Sequence, residues 1–125
     1  MAAESYRTYQ FEGYQILVGK GARDNDTLTF KVASPQDFWL HAAGYAGSHV
    51  VVRNPDRGEV PRSVLSHAAG LAAHFSKARE AGGKVEVHYC RVHEVSKPKG
   101  FPAGKVVLKK WKGLKVYAFE PAEGL

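Results

Sequence analysis

Apolar and polar positions alternate along most of this chain with the period of two that marks β-strands, and switch to the helical period over one long stretch. Tyr14-Gln15-Ile16-Leu17-Val18 is a β-rich run closed by Gly19-Lys20-Gly21, a strand entering a glycine turn. Between Asn25 and Ala33 two patterns overlap. Leu28, Phe30 and Val32 alternate like a strand, yet Asn25 or Asp26 would cap a short helix burying Leu28 and Val32 at i, i+4. We read a short helix over about 25–33. After the break at Pro35-Gln36, Phe38, Leu40 and Ala42 alternate with Asp37, Trp39 and His41, and beyond a glycine-bearing loop Val50 and Val52 alternate with His49, Val51 and Arg53. These two runs predict a hairpin.

From Val60-Pro61-Arg62-Ser63 onward, Val64, Leu65, Ala68, Leu71, Ala72, Phe75 and Ala78 recur at helical spacing, with Pro61 and Ser63 as start signals and Gly82-Gly83 as the stop. One long helix over about 62–81 follows, and its alanines and Gly70 suit close approach to a sheet. Lys84 to Val95 predicts a further strand, and Lys105–Leu108 and Leu114–Phe119 a final pair around a Lys112-Gly113 turn. Residues 1–8 and 121–125 read as loose ends, leaving a core of about 14–119. The sum is one α+β domain, a mostly antiparallel sheet with a long helix packed on it.

Composition agrees with a folded chain. The 125 residues are 44% hydrophobic and 24% charged, which suits one core and excludes wholesale disorder. No apolar run approaches the ~20 residues needed to span a bilayer, and Met1-Ala2-Ala3-Glu4 does not open a signal peptide. A lone cysteine, Cys90, cannot close an internal disulfide, so a reducing cytoplasm is the expected location.

Eighteen Lys plus Arg against twelve Asp plus Glu give +6 with neutral histidines, a balance that favours an anionic partner. No acidic residue falls between Glu94 and Glu120, whereas Lys97, Lys99, Lys105, Lys109, Lys110, Lys112 and Lys115 all do. Such lysines either protect exposed strand edges or meet phosphates. Trp111, set among Lys109, Lys110 and Lys112, could stack on a base or close over the core.

The 37–53 hairpin would place Asp37, Trp39 and His41 on one strand face, with His49 and Arg53 on the same sheet face or not according to the register of the loop, beside Gly47 and Ser48, and with Phe38, Leu40, Val50 and Val52 turned to the core. Three chemistries compete for that face. Two His and an Asp could ligate a metal, with Cys90, His88 and His93 nearby, but no HExxH or CxxC unit is present. Ser48, His49 and Asp37 could form a hydrolytic set, but no GxSxG elbow supports it. As a binding face, Trp39 would stack, His41 and His49 would donate hydrogen bonds, Arg53 would pair with phosphate and Asp37 would tether an imidazole or a loop amide. Structural roles fit too: Asp37 can cap a turn and Trp39 fill the core.

The ordered set Gly19…Asn25-Asp26-x-Leu28-Thr29-x-Lys31-x-Ala33, Asp37-x-Trp39-x-His41-Ala42 and Gly47-Ser48-His49-Val50-Val51, with Lys97-Pro98-Lys99-Gly100 and Gly104-Lys105-Val106, resembles the signature of the NFACT-R domain over roughly residues 14–119. The resemblance implies RNA binding without catalysis, metal or cofactor. It further implies tRNA or ribosomal RNA as partner, the ribosome among possible contacts, and a role in translation or ribosome quality control. Implied RNA-directed residues are Asp37, Trp39, His41, Gly47, Ser48 and His49 with the lysines of 97–105; Arg53, Lys109 and Lys110 join them from the charge pattern. Multidomain relatives carry large extra segments for which 125 residues leave no room, so the stand-alone form is the one resembled and tail elongation is not implied. Ser96 stands where the family usually has a basic residue. Two other classes remain open at this point: a metal-dependent or Ser/His hydrolase built on Asp37, His41, Ser48 and His49, and an adaptor for acidic proteins.

Overall fold

A computed structural model describes residues 5–121. The elements run β1 (Tyr6–Phe11), β2 (Tyr14–Gly19), α1 (Ala22–Thr27), β3 (Phe38–Ala42), β4 (Val50–Val52), α2 (Arg62–His74), β5 (Val85–Arg91), β6 (Val95–Ser96), β7 (Val107–Leu108) and β8 (Lys112–Val116). Six strands form one sheet in the order β1-β2-β4-β3-β5-β8, every pair antiparallel, and β6 and β7 make a separate two-stranded ribbon. The α+β class and the antiparallel sheet stand as expected. Among the described residues no helix is long and apolar enough to cross a membrane.

Both sheet faces are buried, which the run Val50-Val51-Val52 already hints at by being apolar throughout. On one face α2 covers Ile16, Val18, Leu40, Val50, Val52 and Val87 through Ala68, Leu71 and Ala72. Small helix residues bring the helix close to the strands, and each fully buried Leu or Val contributes on the order of 1.5–3 kcal/mol. On the other face Leu17, Trp39, Val51 and Cys90 lie under Leu28 and Val32 and under the ribbon residues Val95 and Leu108.

Several boundaries differ from the sequence reading. Residues 6–8 are not a loose end but part of β1, joined to β2 by a two-residue turn in which Glu12 and Gly13 both take positive φ. The loose-end expectations for residues 1–4 and 122–125 fall outside the described residues. The helix expected over about 25–33 starts at Ala22 and runs through Thr27 into a wider π-type turn over Leu28–Val32. Asn25 and Asp26 lie inside it and turn their side chains to other segments.

The long helix expected over 62–81 ends at His74, and a short 3₁₀ turn occupies Lys77–Glu80. Tertiary contacts cause the break. The Phe75 carbonyl accepts from the Ser48 N–H at 2.9 Å and the Lys77 N–H donates to the Ala46 carbonyl at 3.0 Å, so the 46–48 loop takes backbone groups the helix would have used. The Lys84–Val95 strand is interrupted by a 3₁₀ turn at Val92–Glu94, after which the chain leaves the sheet as β6. The two last strands do not pair around a Lys112-Gly113 turn: β7 pairs with β6, whereas β8 begins at Lys112 and pairs with β5.

Candidate nucleic-acid interface

The hairpin register sets Phe38 opposite Val52, Trp39 opposite Val51 and Leu40 opposite Val50. Asp37, Trp39, His41, His49 and Arg53 therefore do share one face. That face is not open, which corrects the expectation of an exposed indole-and-imidazole patch: Trp39 is 2% exposed, and His49 and Asp37 are each 1% exposed.

Its polar atoms are satisfied by one another. Trp39 Nε1–H donates to Thr29 Oγ1 at 3.2 Å, and Thr29 Oγ1 lies 2.9 Å from His49 Nδ1. His49 Nε2 lies 3.1 Å from the Gly104 carbonyl, which can only accept. The consistent assignment puts the imidazole proton on Nε2 and lets the threonine hydroxyl donate to Nδ1. Burial, reinforced by His41, pushes the His49 pKa down to about 4, so the ring stays neutral near pH 7. Asn25 completes the frame by accepting the His49 N–H at 3.0 Å and donating to the Gly47 carbonyl at 3.3 Å.

Asp37 and Arg53 pair with each other at 2.9 Å, so neither offers a free charge to a ligand. Lys97 is likewise occupied: its ammonium contacts the Pro102 and Lys105 carbonyls at 2.6 and 2.9 Å and Asp26 at 3.2 Å. Asp37, Trp39, Arg53 and Lys97 thus build the scaffold.

Ser48 Oγ donates to the Gly19 carbonyl at 2.6 Å and both His49 nitrogens are engaged elsewhere, so this serine and this base share no hydrogen bond. Burial, with Glu94 adding to it, lifts the Cys90 thiol to about 12, leaving it inert as a thiolate ligand or nucleophile. Among the described residues no group of three or more His, Cys, Asp or Glu side chains is placed to hold a metal ion.

What remains accessible is the mouth beside this frame. A cavity of about 930 Å³ opens between the 44–48 loop, the start of α1 and the Gly104 loop, with His41 and the edges of Trp39 and His49 in its floor. Arg7, Lys20, Lys77, Arg79 and Lys105 line it against the acidic Glu80, all of them exposed. His41 is half-buried, and its pKa is held below the ordinary imidazole value by burial, with a Gly47 backbone contact acting against this and His88 adding to it. Near pH 7 it is a neutral ring with one donor and one acceptor, suited to a ribose hydroxyl or a base edge.

Of the residues singled out from sequence, the cavity gathers His41, Gly47, Ser48, the Trp39 and His49 edges and Lys105. Lys99, Lys109 and Lys110 are exposed but line other surface. Arg7, Lys20, Lys77 and Arg79 went unnoticed. They come from three separate places, β1, the turn after β2 and the 3₁₀ turn that holds both Lys77 and Arg79, and cations so scattered carry no local signal.

Gly47 is a fixed point of this mouth. A Cβ there would sit 2.5 Å from Ser76 Cβ and 2.8 Å from Ser76 Cα. Gly47→Ala is therefore expected to cost about 1–3 kcal/mol through overpacking against backbone that cannot yield, measured by denaturant unfolding. A loss below about 0.5 kcal/mol would show that the loop is not seated on the end of α2.

A family model described as the NFACT protein RNA binding domain matches residues 5–110. "Rqc2 homolog RqcH" of Bacillus subtilis is 43% identical over 94 residues, covering 75% of this chain and 16% of that protein. The protein of the same name in Streptococcus suis is 42% identical over 101 residues, 81% of this chain and 18% of its own length. Human "Ribosome quality control complex subunit NEMF" is 27% identical over 86 residues, 69% of this chain and 8% of that protein. Among solved structures, the C-terminal part of the fibronectin/fibrinogen-binding protein from Streptococcus suis superposes with a TM-score of 0.85 at 37% identity, covering 96% of this chain and 47% of that one. The chain spans less than a fifth of the length of these curated relatives.

Proposed function

The chain belongs to the NFACT protein RNA-binding domain family, and from that premise we propose that it is a non-catalytic module holding structured RNA, tRNA or ribosomal RNA, at the mouth beside His41. The names of its relatives support ribosome quality control as the setting of that work. One observation carries the reading: cations from separate elements converge on a cavity whose floor offers the neutral hydrogen-bonding ring of His41. That combination meets phosphates at the rim and a ribose or an unpaired base inside. Gly47 and Gly104 line the same mouth, where their lack of a side chain lets the loops seat on Ser76 and Ala22.

Affinity then depends steeply on salt, because each neutralised phosphate releases counterions. Lys20→Ala, Lys77→Ala, Arg79→Ala and Lys105→Ala are each expected to lower the log–log salt slope for a transfer RNA by about one unit, with little change in sequence preference. Anisotropy titrations across a salt series measure this. Four unchanged slopes would remove the cavity as the binding mouth. Lys97→Ala serves as a contrast, expected to lower stability and leave the slope of the folded protein as it was.

A further inference from the structure

A second aromatic feature lies outside the cavity. Trp111 is 50% exposed, the most exposed indole of the described chain. Its ring stacks on His88 with centroids 3.9 Å apart and planes 23° from parallel. His88 stands on β5 with Gly113 opposite it on β8, and a Cβ at Gly113 would sit 3.2 Å from Glu86 Oε2, so the glycine leaves room for the Glu86 carboxylate. His88 is held in turn by Glu86, whose Oε2 is 2.9 Å from Nε2.

One face of Trp111 is thus covered by a ring fixed from below, and its other face is left at the surface. Such an indole is pre-organised, since ordering it for a ligand costs no further rotamer freedom. Lys109, Lys110 and Lys112 are its chain neighbours and all are exposed. Lys110 and Lys112 line a cavity of about 640 Å³ with Trp111, and Glu59, Arg91 and Glu94 belong to the same lining. Arg91 pairs with Glu59 at 3.1 Å, so the cations of this lining that remain for a phosphate are Lys110 and Lys112.

The platform is also continuous with the cavity floor. His41 pairs with His88 across β3 and β5, and the His41 and His49 ring centroids are 5.5 Å apart. His41 and His88, on neighbouring strands ~4.8 Å apart, therefore stand between His49 and Trp111, which lie one residue before β4 and β8.

We propose that Trp111 is a second, separate nucleic-acid contact: a platform on which an unpaired base of a single-stranded RNA segment stacks, its phosphates held by Lys110 and Lys112. The inference rests on the RNA-binding reading above and adds a preference within it. The cavity takes structured RNA, and the platform takes a single-stranded extension leading away from it. An indole flanked by lysines is sequence-tolerant, because every base presents a π-face.

Two probes separate the sites: a ten-nucleotide oligouridylate, and a blunt-ended RNA hairpin without single-stranded ends. Trp111→Ala is expected to weaken oligouridylate binding about tenfold and leave hairpin binding unchanged, whereas Trp111→Phe keeps most of the affinity. Oligouridylate should quench the emission of the unaltered protein, and the quench should vanish in Trp111→Phe, where only the buried Trp39 emits. A thermal melt of each variant shows that it is folded. If Trp111→Ala binds both RNAs as the unaltered protein does, the platform is only a lid on His88 and the proposal falls while the cavity reading stands. If oligoglutamate of matched charge quenches Trp111 equally, the surface is a general anion patch and base stacking is overturned. If the unaltered protein binds neither RNA, both readings fall together.

Discussion

Asp37→Ala is expected to lose about 3 kcal/mol of folding stability, with RNA affinity of the remaining folded protein unchanged. The carboxylate is 1% exposed and accepts from three donors: Arg53 Nε at 2.9 Å, the Ser34 N–H at 2.9 Å and the Asn54 N–H at 2.7 Å. Removing it orphans two backbone donors and leaves a guanidinium without its partner, the situation in which breaking a buried pair costs about 3–5 kcal/mol. Arg53 is partly open to water, so the low end applies. The damage would spread, because Asn54 also ties the Gln36 and Gly58 carbonyls together. Asp37→Asn should recover part of the loss, since one acceptor survives while the amide opposes the second donor. Guanidinium unfolding of both variants, with anisotropy on the folded fraction, measures the split. A stable Asp37→Ala protein that binds RNA weakly would return Asp37 to the ligand face.

Acid should unfold the protein through His49. The folded ring titrates near 4 against an ordinary 6.5, chiefly because it is buried and secondarily because His41 lies beside it; the Gly104 carbonyl and Asp26 act the other way, and Lys97 adds slightly to the depression. The unfolded chain therefore binds the proton more readily. The stability linked to this group is complete above pH 6.5 and is lost as pH falls towards 4. Linkage gives a loss of about 2 kcal/mol at pH 5 and about 3 kcal/mol by pH 4. In structural terms, a proton on Nδ1 turns that atom into a donor facing Thr29, whose own hydroxyl hydrogen then loses its acceptor inside the core. Urea unfolding at pH 7.5 and pH 5 measures the change. The same pair of measurements on His49→Gln should show a flatter difference, even if that variant is less stable at both values. An equally steep loss in His49→Gln would assign the acid limb to other groups.

These two residues show where the sequence was legible and where it was not. Alternation over Phe38–Ala42 and Val50–Val52 was enough to pair the strands and to put Asp37, Trp39 and His41 on one side, whereas the register that adds His49 and Arg53 to that side is set by the structure. It could not say what lies over that side. The cover comes from Leu28 and Val32 on an irregular helical turn and from a ribbon of two-residue strands, and strands that short carry no readable period. A reading from pattern alone therefore took a lined, sealed layer for an open face. The lysine-rich segment was visible as composition, yet Lys97 spends its charge on loop carbonyls and Asp26, a fact stored in the fold of the 97–105 loop.

By itself the sequence determined the α+β class, the two strands of the 37–53 hairpin and the core side of each, the start of the long helix at Pro61 and the family resemblance, because each of these is written in periods, turn residues or ordered motifs within a few dozen positions. Only the tertiary structure decided that the second face is closed by Gly104 reaching His49, that the helix breaks at Phe75 because the 46–48 loop takes its hydrogen bonds, and that Arg7, Lys20, Lys77, Arg79 and Lys105 meet at one mouth. The reason is range: a period reports which side a residue faces, while what covers that side and which distant charges share it are set by contacts between segments far apart in the chain.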